Sequence, residues 1–139
     1  MGKNFMKGDV MKTKKYWIWV VALTLIYISY GCTTIRTANR QNLMKLSIGM
    51  SKDEVLTIMG TKTEFVPYMG MINNPYRVET LQGKDKSLIV LYYYTDRKRA
   101  DNAITDDELT PLVFDNDKLI GWGWGFLEQN IQKYEVRFR

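Results

Sequence analysis

The chain has 139 residues, enough for about one domain, and it has a globular composition with 45% hydrophobic, 13% aromatic and 25% charged residues. It contains no histidine and one cysteine, which excludes histidine-dependent catalysis, histidine zinc sites and an intrachain disulfide. The formal net charge is +5, but residues 1–31 carry five lysines and one acid, whereas residues 32–139 carry 15 basic and 14 acidic groups. The positive excess therefore belongs to the N-terminal segment, and the nearly neutral remainder argues against a nucleic-acid-binding protein.

The N-terminal segment has the parts of a secretory signal peptide. A basic stretch, residues 11–16, precedes an apolar run that ends at Gly31 and is followed by Cys32. The 16 residues from 16 to 31 would form a helix of ~24 Å, shorter than the ~30 Å hydrocarbon core of a bilayer, so a permanent span is disfavoured. Met11 is an alternative start of the chain, because residues 1–10 add nothing that a signal needs.

The only cysteine lies at the end of this apolar run. The sequence Ser29-Tyr-Gly-Cys32 resembles the lipobox of bacterial lipoproteins, in which the cysteine is acylated and the chain is cleaved just before it. The resemblance implies that residues 1–31 are removed and that Cys32 is the lipid attachment site. Thr33 follows, where an aspartate would imply retention at the inner membrane. We therefore expect an outer-membrane protein facing the periplasm, with inner-membrane anchoring of a periplasmic domain as the alternative.

A polar tether is expected at residues 32–40, followed by a folded domain at residues 41–139. The apolar positions Leu43, Met44 and Leu46 suggest a weak helix or helical turn from about residue 37 to residue 46. The clearest local signal is the capping box Ser51-Lys-Asp-Glu54, which predicts a helix over residues 51–59. Gly60 is placed to end that helix in a left-handed conformation.

The pattern after Gly60 changes to that of β-strands. Residues 87–95, the second strand of a predicted hairpin, are apolar on both faces, so we expect this strand to be central in its sheet. The predicted strands are residues 76–82 and 87–95 in one hairpin, and 111–114 and 118–126 in a second. Residues 63–69 are expected as an edge strand or a loop, because Pro67 weakens the strand pattern.

The last predicted strand alternates large side chains with glycine. Period-2 alternation would place Ile120, Trp122, Trp124 and Phe126 on one face, and Gly121, Gly123 and Gly125 on the other. One interpretation is that the aromatic face is core and the glycine face is flat and exposed. The other is that the bare glycine backbone lets a partner, a lipid or the chain's own tail approach closely. Residues 127–139 fit either a docking helix or, at 134–138, a strand.

Three groups of residues are candidates for chemistry. The acidic residues lack the spacing of an EF-hand, so we expect a solvated loop and no metal site; they are Asp101, Asp106, Asp107, Glu108, Asp115 and Asp117. Arg97, Lys98 and Arg99 either contact anionic headgroups or neutralise this acidic loop. The run of tyrosines at 92–94 is expected in the core rather than in a base-stacking platform.

No motif marks a nucleophile or its base, since neither Gly-x-Ser-x-Gly nor Ser-x-x-Lys occurs. We therefore expect a protein without catalytic residues, cofactor or small-molecule substrate, and not an enzyme.

Residues 43–60 resemble the entry segment of the BamE (SmpA/OmlA) outer-membrane lipoproteins. The matching positions are Gly49, Met50, Ser51, Glu54, Val55 and Gly60. Residues 113–119 match the hairpin of that family, and residues 105–123 are closer to a related set of exported bacterial proteins of unknown function. The resemblance implies an α+β fold, in which two short helices pack on a three- or four-stranded antiparallel meander. It also implies accessory subunits without enzyme activity that contact partner proteins and phosphatidylglycerol.

Together these patterns predict a non-enzymatic outer-membrane lipoprotein that acts as an accessory binding or scaffold subunit, in outer-membrane protein assembly or envelope integrity. Its expected partners are membrane lipid, through acylated Cys32, and an envelope protein. The candidate partner surface comprises Gly121, Gly123, Gly125, Arg97, Lys98 and Arg99. The alternative is a periplasmic inhibitor or exclusion-type module resembling β-lactamase-inhibitor domains, which would bind through the glycine face and the loop at 96–108.

Overall fold

The structure, a computed structural model, describes residues 19–20, 34–83 and 86–133. The chain divides into two units, Met1–Cys32 and Thr33–Arg139, and the first is described only at Trp19 and Val20. The predicted signal peptide, apart from Trp19 and Val20, and the predicted attachment site Cys32 therefore lie outside the described residues. Within the described ranges, no helix has the length and apolar character that a membrane span requires.

The second unit is α+β, as expected, and its described residues form three helices and two antiparallel sheets. A short 3₁₀ turn at Asp106–Glu108 precedes the fifth strand. The elements are α1 Ile35–Leu43, α2 Lys52–Met59, β1 Glu64–Val66, β2 Gly70–Ile72, β3 Arg77–Gln82, β4 Ser87–Tyr94, β5 Leu109–Asp115, β6 Lys118–Trp122 and α3 Trp124–Lys133.

Helix α2 begins with the predicted capping box. The Ser51 hydroxyl accepts the amide of Glu54 at 3.3 Å, and the Glu54 carboxylate accepts the amide of Ser51 at 2.7 Å. Gly60 follows with φ +83° and ψ 156°. The positive φ expected of a glycine is present, but ψ is extended rather than left-handed helical. The chain therefore leaves the helix directly in an extended path.

Helix α1 begins earlier than the sequence suggested. Thr34 is its N-cap, with its hydroxyl accepting the amide of Thr37 at 3.4 Å. Ile35 is 2% exposed and Asn39 is 1% exposed, so the first turns pack firmly against the rest of the domain. Residues 35–40, which we expected in a tether, are helical instead. The apolar side chain of Ile35 is buried, and so is the side-chain amide of Asn39, which is hydrogen-bonded, so this otherwise polar stretch packs against the domain.

The larger sheet is an antiparallel meander of four strands in the order β3-β4-β5-β6. Tyr92 of β4 lies opposite both Arg77 of β3 and Pro111 of β5, so β4 is internal, as predicted. The smaller sheet is the hairpin β1–β2, in which Phe65 pairs with Met71. The two-residue turn between β5 and β6 has positive φ at Asn116 and Asp117, which suits a tight hairpin.

The side chains of β4 alternate between the two faces of the large sheet, also as predicted. Tyr92 and its alternate neighbours join Ile35 of α1 and Leu127 of α3 in one core cluster. Tyr93 joins Val55 and Met59 of α2 in the other. The tyrosine run is therefore core: the residues from 92 to 94 are at most 3% exposed.

The prediction of a single strand over residues 118–126 is wrong. β6 ends at Trp122, Gly123 turns the chain with φ +90°, and α3 begins at Trp124. The helical spacing of Trp124, Leu127 and Ile131, which all contribute to one core cluster, outweighs the short aromatic–glycine alternation. Residues 134–138, the alternative final strand, lie outside the described residues.

The expected glycine face is consequently absent from the described residues. A β-carbon on Gly121 would lie 2.5 Å from ring atoms of Phe126, so the chain's own side chain covers this glycine. Gly125 is exposed in α3, and Gly123 occupies the turn. The close-approach interpretation therefore holds at Gly121, although Phe126, rather than a partner, makes the approach.

Candidate binding surface around the loop at 96–108

The loop between β4 and β5 is organised by one buried carboxylate. Glu108 is 1% exposed, and its Oε1 accepts the backbone amides of Lys98 at 2.5 Å and Arg99 at 3.2 Å. Its Oε2 accepts the amide of Thr105 at 3.4 Å. The Glu108 carbonyl also accepts the amides of residues 95 and 96, at 3.1 and 3.0 Å. One residue thus ties both ends of the loop to the sheet.

The basic residues at 97–99 are exposed on this loop. The Lys98 ammonium lies 2.9 Å from the Asp96 carboxylate, and the Arg97 guanidinium donates to the Arg99 carbonyl at 3.1 Å. The hydrogen bond from Lys98 lowers the pKa of Asp96, and the amide of Arg97 adds to the effect. Asp96 pairs with Lys98, whereas Arg97 and Arg99 are exposed. The first contact fits neutralisation of the acidic loop, and the exposed arginines fit contact with anionic headgroups.

A groove of about 800 Å³ runs between this loop and α1. Arg36 and Arg40 line it from the helix, Asp96 and Asp107 from the loop side, and Trp124 closes one end. Its lining therefore mixes both charges with an aromatic wall, which suits a polypeptide or a headgroup better than an apolar ligand.

A second cavity, of about 510 Å³, lies on the other side of Trp124, under α3. The Arg77 guanidinium sits 4.2 Å from the centroid of the Tyr92 ring, and its nitrogens lie 3.0 Å from Glu79 and 3.1 Å from Asp106. The Tyr92 hydroxyl donates to Glu79 at 2.8 Å, and its ring lies 5.7 Å from that of Trp124. Five side chains thus form one connected network.

The electrostatics of this network stabilise its resting charges. Burial raises the pKa of Tyr92, and its hydrogen bond to Glu79 raises it further. Burial lowers the pKa of Arg77, but Glu79 and Asp106 offset this, and the net shift is upward. Tyr92 is therefore held neutral and Arg77 charged, which gives a preorganised wall rather than a group poised to exchange protons near neutral pH.

The structure brings together only some of the predicted site residues. Asp107 lines the groove, Asp106 lines the second cavity, and residues 97–99 lie on the loop outside both linings. Ser51, Glu54 and Gly60 have structural roles at α2. Among residues 34–83 and 86–133, the acidic side chains form no cluster of three that could hold a metal ion.

Sequence reasoning missed two polar centres. One is Glu108. The other is a buried pair, in which Asn39 donates to the side chain of Asn74 at 2.9 Å and accepts from it at 3.1 Å. Asn39 also donates to the Tyr94 carbonyl, and Asn74 to the Met59 carbonyl, each at 2.9 Å. The pair connects α1, α2 and β4. The sequence signal that could have indicated its burial is a polar residue inside an otherwise apolar stretch.

These features define a small α+β domain with a four-stranded meander, helices on both faces of that sheet and a loop with exposed charges. A family model described as a protein of unknown function, DUF3192, matches residues 32–129. The chain belongs to this DUF3192 family. No curated protein and no solved structure matches it.

Proposed function

We propose that this protein is a non-enzymatic outer-membrane lipoprotein whose folded domain acts as an accessory binding or scaffold subunit at the periplasmic face. The observation that carries the proposal is the lipobox-like end of the apolar run at Gly31-Cys32. The position of the domain supports it, because Thr34, the cap of α1, follows that cysteine after a single residue. Acyl chains at Cys32 would therefore hold the domain itself, and not a long linker, at the lipid surface.

Anchoring would act on binding through effective concentration. A domain confined to a thin layer meets membrane-bound partners far more often than a freely diffusing one, without any new contact. We assign to the partner the groove between α1 and the loop at 96–108, together with the exposed cations of that loop. Arg36, Arg40 and Trp124 line the groove, and the buried Glu108 carboxylate accepts the amides of Lys98 and Arg99 on the loop. A role in outer-membrane protein assembly, as in BamE-like proteins, is the most specific form of this proposal.

Acylation is tested by growing cells that express the full chain with a palmitate analogue. We expect the wild type to take up label and Cys32→Ala to lose it. Thr33→Asp serves as the matched variant, since it should keep the label but move the protein from the outer to the inner membrane. A wild-type protein that takes up no label would refute the lipoprotein proposal.

The partner surface is tested by co-purification in mild detergent. Arg99→Glu reverses an exposed charge on the loop, and Lys45→Glu reverses an exposed charge outside it. We expect the first variant to lose a co-purifying envelope protein and the second to retain it. Equal recovery with both variants would remove the loop from the interface.

The alternative function is a periplasmic inhibitor or exclusion-type module. One observation favours it: the loop at 96–108 contributes Asp96 and Asp107 to one cavity and Asp106 to the other, and Trp124 lines both, so a partner that contacts the loop would meet both cavities. A soluble periplasmic enzyme in the co-purified material would support this alternative, whereas subunits of an assembly machine would support the first proposal.

A further inference from the structure

The β1–β2 hairpin, which begins at Glu64, carries large apolar side chains on both of its faces. Ile72, 3% exposed, and Val66 pack toward the core on one face. Phe65 and Met71 lie directly opposite each other in the pairing, so they share the other face, and they are 70% and 67% exposed. Tyr68, in the turn, is 90% exposed. A small hairpin that presents three large apolar side chains to solvent calls for a covering surface.

The hairpin lies beside the start of α1. Ile35 lines the same cavity as Lys62 and Glu64, which lead into β1. Ile35 also belongs to the same core cluster as Ile72 of β2. The first turn of α1 and the base of the hairpin are therefore neighbours in the domain.

The chain between Cys32 and this first turn is very short. Two residue steps separate Cys32 from Thr34, and at ~3.6 Å for each step they reach at most ~7 Å. If Cys32 is acylated, the start of α1 must stay within that distance of the lipid headgroups. The neighbouring hairpin is then held at the same level.

The charge of the hairpin indicates what kind of surface would cover it. Lys62 and Glu64 cancel, and residues 65–73 carry no ionisable acid or base other than Tyr68. Phenylalanine and tyrosine are side chains that favour the boundary between headgroups and acyl chains. Adhesion would thus rest on burial of apolar area, with little dependence on headgroup charge or salt.

We propose that the outer face of the β1–β2 hairpin is a membrane-docking surface, through which Phe65, Tyr68 and Met71 enter the headgroup region of a bilayer next to the acylated cysteine. This inference rests on the proposed lipid anchor. Two contacts, the acyl chains and the hairpin, fix the orientation of the domain on the membrane, which a single flexible anchor would leave free.

The test uses the full chain, extracted from membranes and reconstituted into protein-free phosphatidylcholine vesicles. A polarity-sensitive dye is attached at Met71→Cys and, as the matched control, at Ile48→Cys, a residue 62% exposed in the α1–α2 loop. We expect the dye at 71 to shift to the blue and to be quenched by nitroxide-bearing lipid, equally at low and high salt. The dye at 48 should show neither effect. Adding Phe65→Ser should lower the ratio of docked to undocked protein about tenfold.

Each other outcome overturns part of the proposal. If the dye at 71 is as accessible as the dye at 48, the hairpin does not dock. If it is shielded in native envelopes but not in protein-free vesicles, a protein covers the hairpin and the lipid assignment is wrong. Wild-type protein without an added cysteine reports on the anchor, because an acylated Cys32 takes up no dye. Should it take up dye, the anchor fails, and quenching at position 71 in a Cys32→Ala background then decides docking alone.

Discussion

Replacing Glu108 tests whether one carboxylate organises the loop at 96–108. In Glu108→Ala the amides of Lys98, Arg99 and Thr105 lose their acceptor, and a space opens beneath the loop. In Glu108→Gln one side-chain oxygen remains as an acceptor. The NH₂ group of the new side-chain amide replaces the other oxygen, and it faces either the donors at 98 and 99 or the donor at 105. We therefore expect a graded series in which alanine is worse than glutamine.

The magnitude follows from the geometry. A hydrogen bond to a charged acceptor contributes ~1.5–3 kcal/mol net, but the longest of the three, at 3.4 Å from Thr105, contributes least. Amides on a loop also regain water once it opens. We expect Glu108→Ala to lower the free energy of unfolding by about 2–4 kcal/mol and Glu108→Gln by about 1–2 kcal/mol.

Two measurements check this. Urea unfolding of the full chain in mild detergent gives the free energy, and hydrogen exchange followed by mass spectrometry reports the amides of Lys98 and Arg99 directly. Asp107→Ala is the control, because that exposed acid accepts a hydrogen bond from the Thr105 hydroxyl and should cost under ~0.5 kcal/mol. Unchanged exchange at 98 and 99 in both Glu108 variants would show that the carboxylate does not hold the loop.

Three further predictions concern the core. Val55→Asp buries a charge at a side chain that is 0% exposed, so we expect loss of the folded state by circular dichroism; a folded variant would mean that α2 presents another face. Gly121→Ala should cost about 1–3 kcal/mol in urea unfolding because of the Phe126 ring, whereas Gly125→Ala, with open space around it in α3, should stabilise by up to ~1 kcal/mol; equal effects would contradict this packing. The hydroxyl of Tyr93 is buried without a hydrogen-bond partner among the described residues, and burial raises its pKa. Because the pKa of Tyr93 is higher in the folded state, its contribution to stability is complete below the unfolded pKa of ~10 and declines as the pH rises beyond that value. Tyr93→Phe should therefore be at least as stable as the wild type at pH 7 and should lose less stability above pH ~10. A loss of more than ~1 kcal/mol at pH 7 would indicate that the hydroxyl has a hydrogen-bond partner.

The features that the sequence predicted well are local ones. The capping box at Ser51 needs only four residues, and both of its hydrogen bonds are present. The alternation of β4 is likewise carried by adjacent side chains, which is why its two faces and internal position could be predicted. Local patterns encode local geometry, and the β3–β4 and β5–β6 pairs follow from short hairpin connections, whereas the long β4–β5 loop gives no such signal.

The features that were missed depend on residues far apart in the chain. Asn39 and Asn74 are separated by 35 positions, and neither has a neighbour in sequence that indicates burial. Glu108 reaches back ten residues to Lys98. The end of β6 was predicted wrongly for a different reason. An aromatic–glycine alternation fits a strand, but the backbone freedom of Gly123 allows the turn that precedes α3. Polar partners and glycine turns are decided by tertiary context.

Because α1 begins at Ile35, the folding of the domain and its proposed attachment to a membrane can be tested separately. Among the described residues, packing begins with Thr34, which caps α1, and Ile35, the first buried side chain of the helix. We therefore expect a change at Cys32 to remove the proposed anchor while leaving the free energy of unfolding of the domain unaltered. The same short connection also means that the anchor cannot act at a distance: inserting a flexible Gly/Ser segment of ~20 residues after Thr33 would extend the r.m.s. reach to ~25 Å. If short tethering orients the domain, this insertion should preserve acylation and folding but abolish hairpin docking.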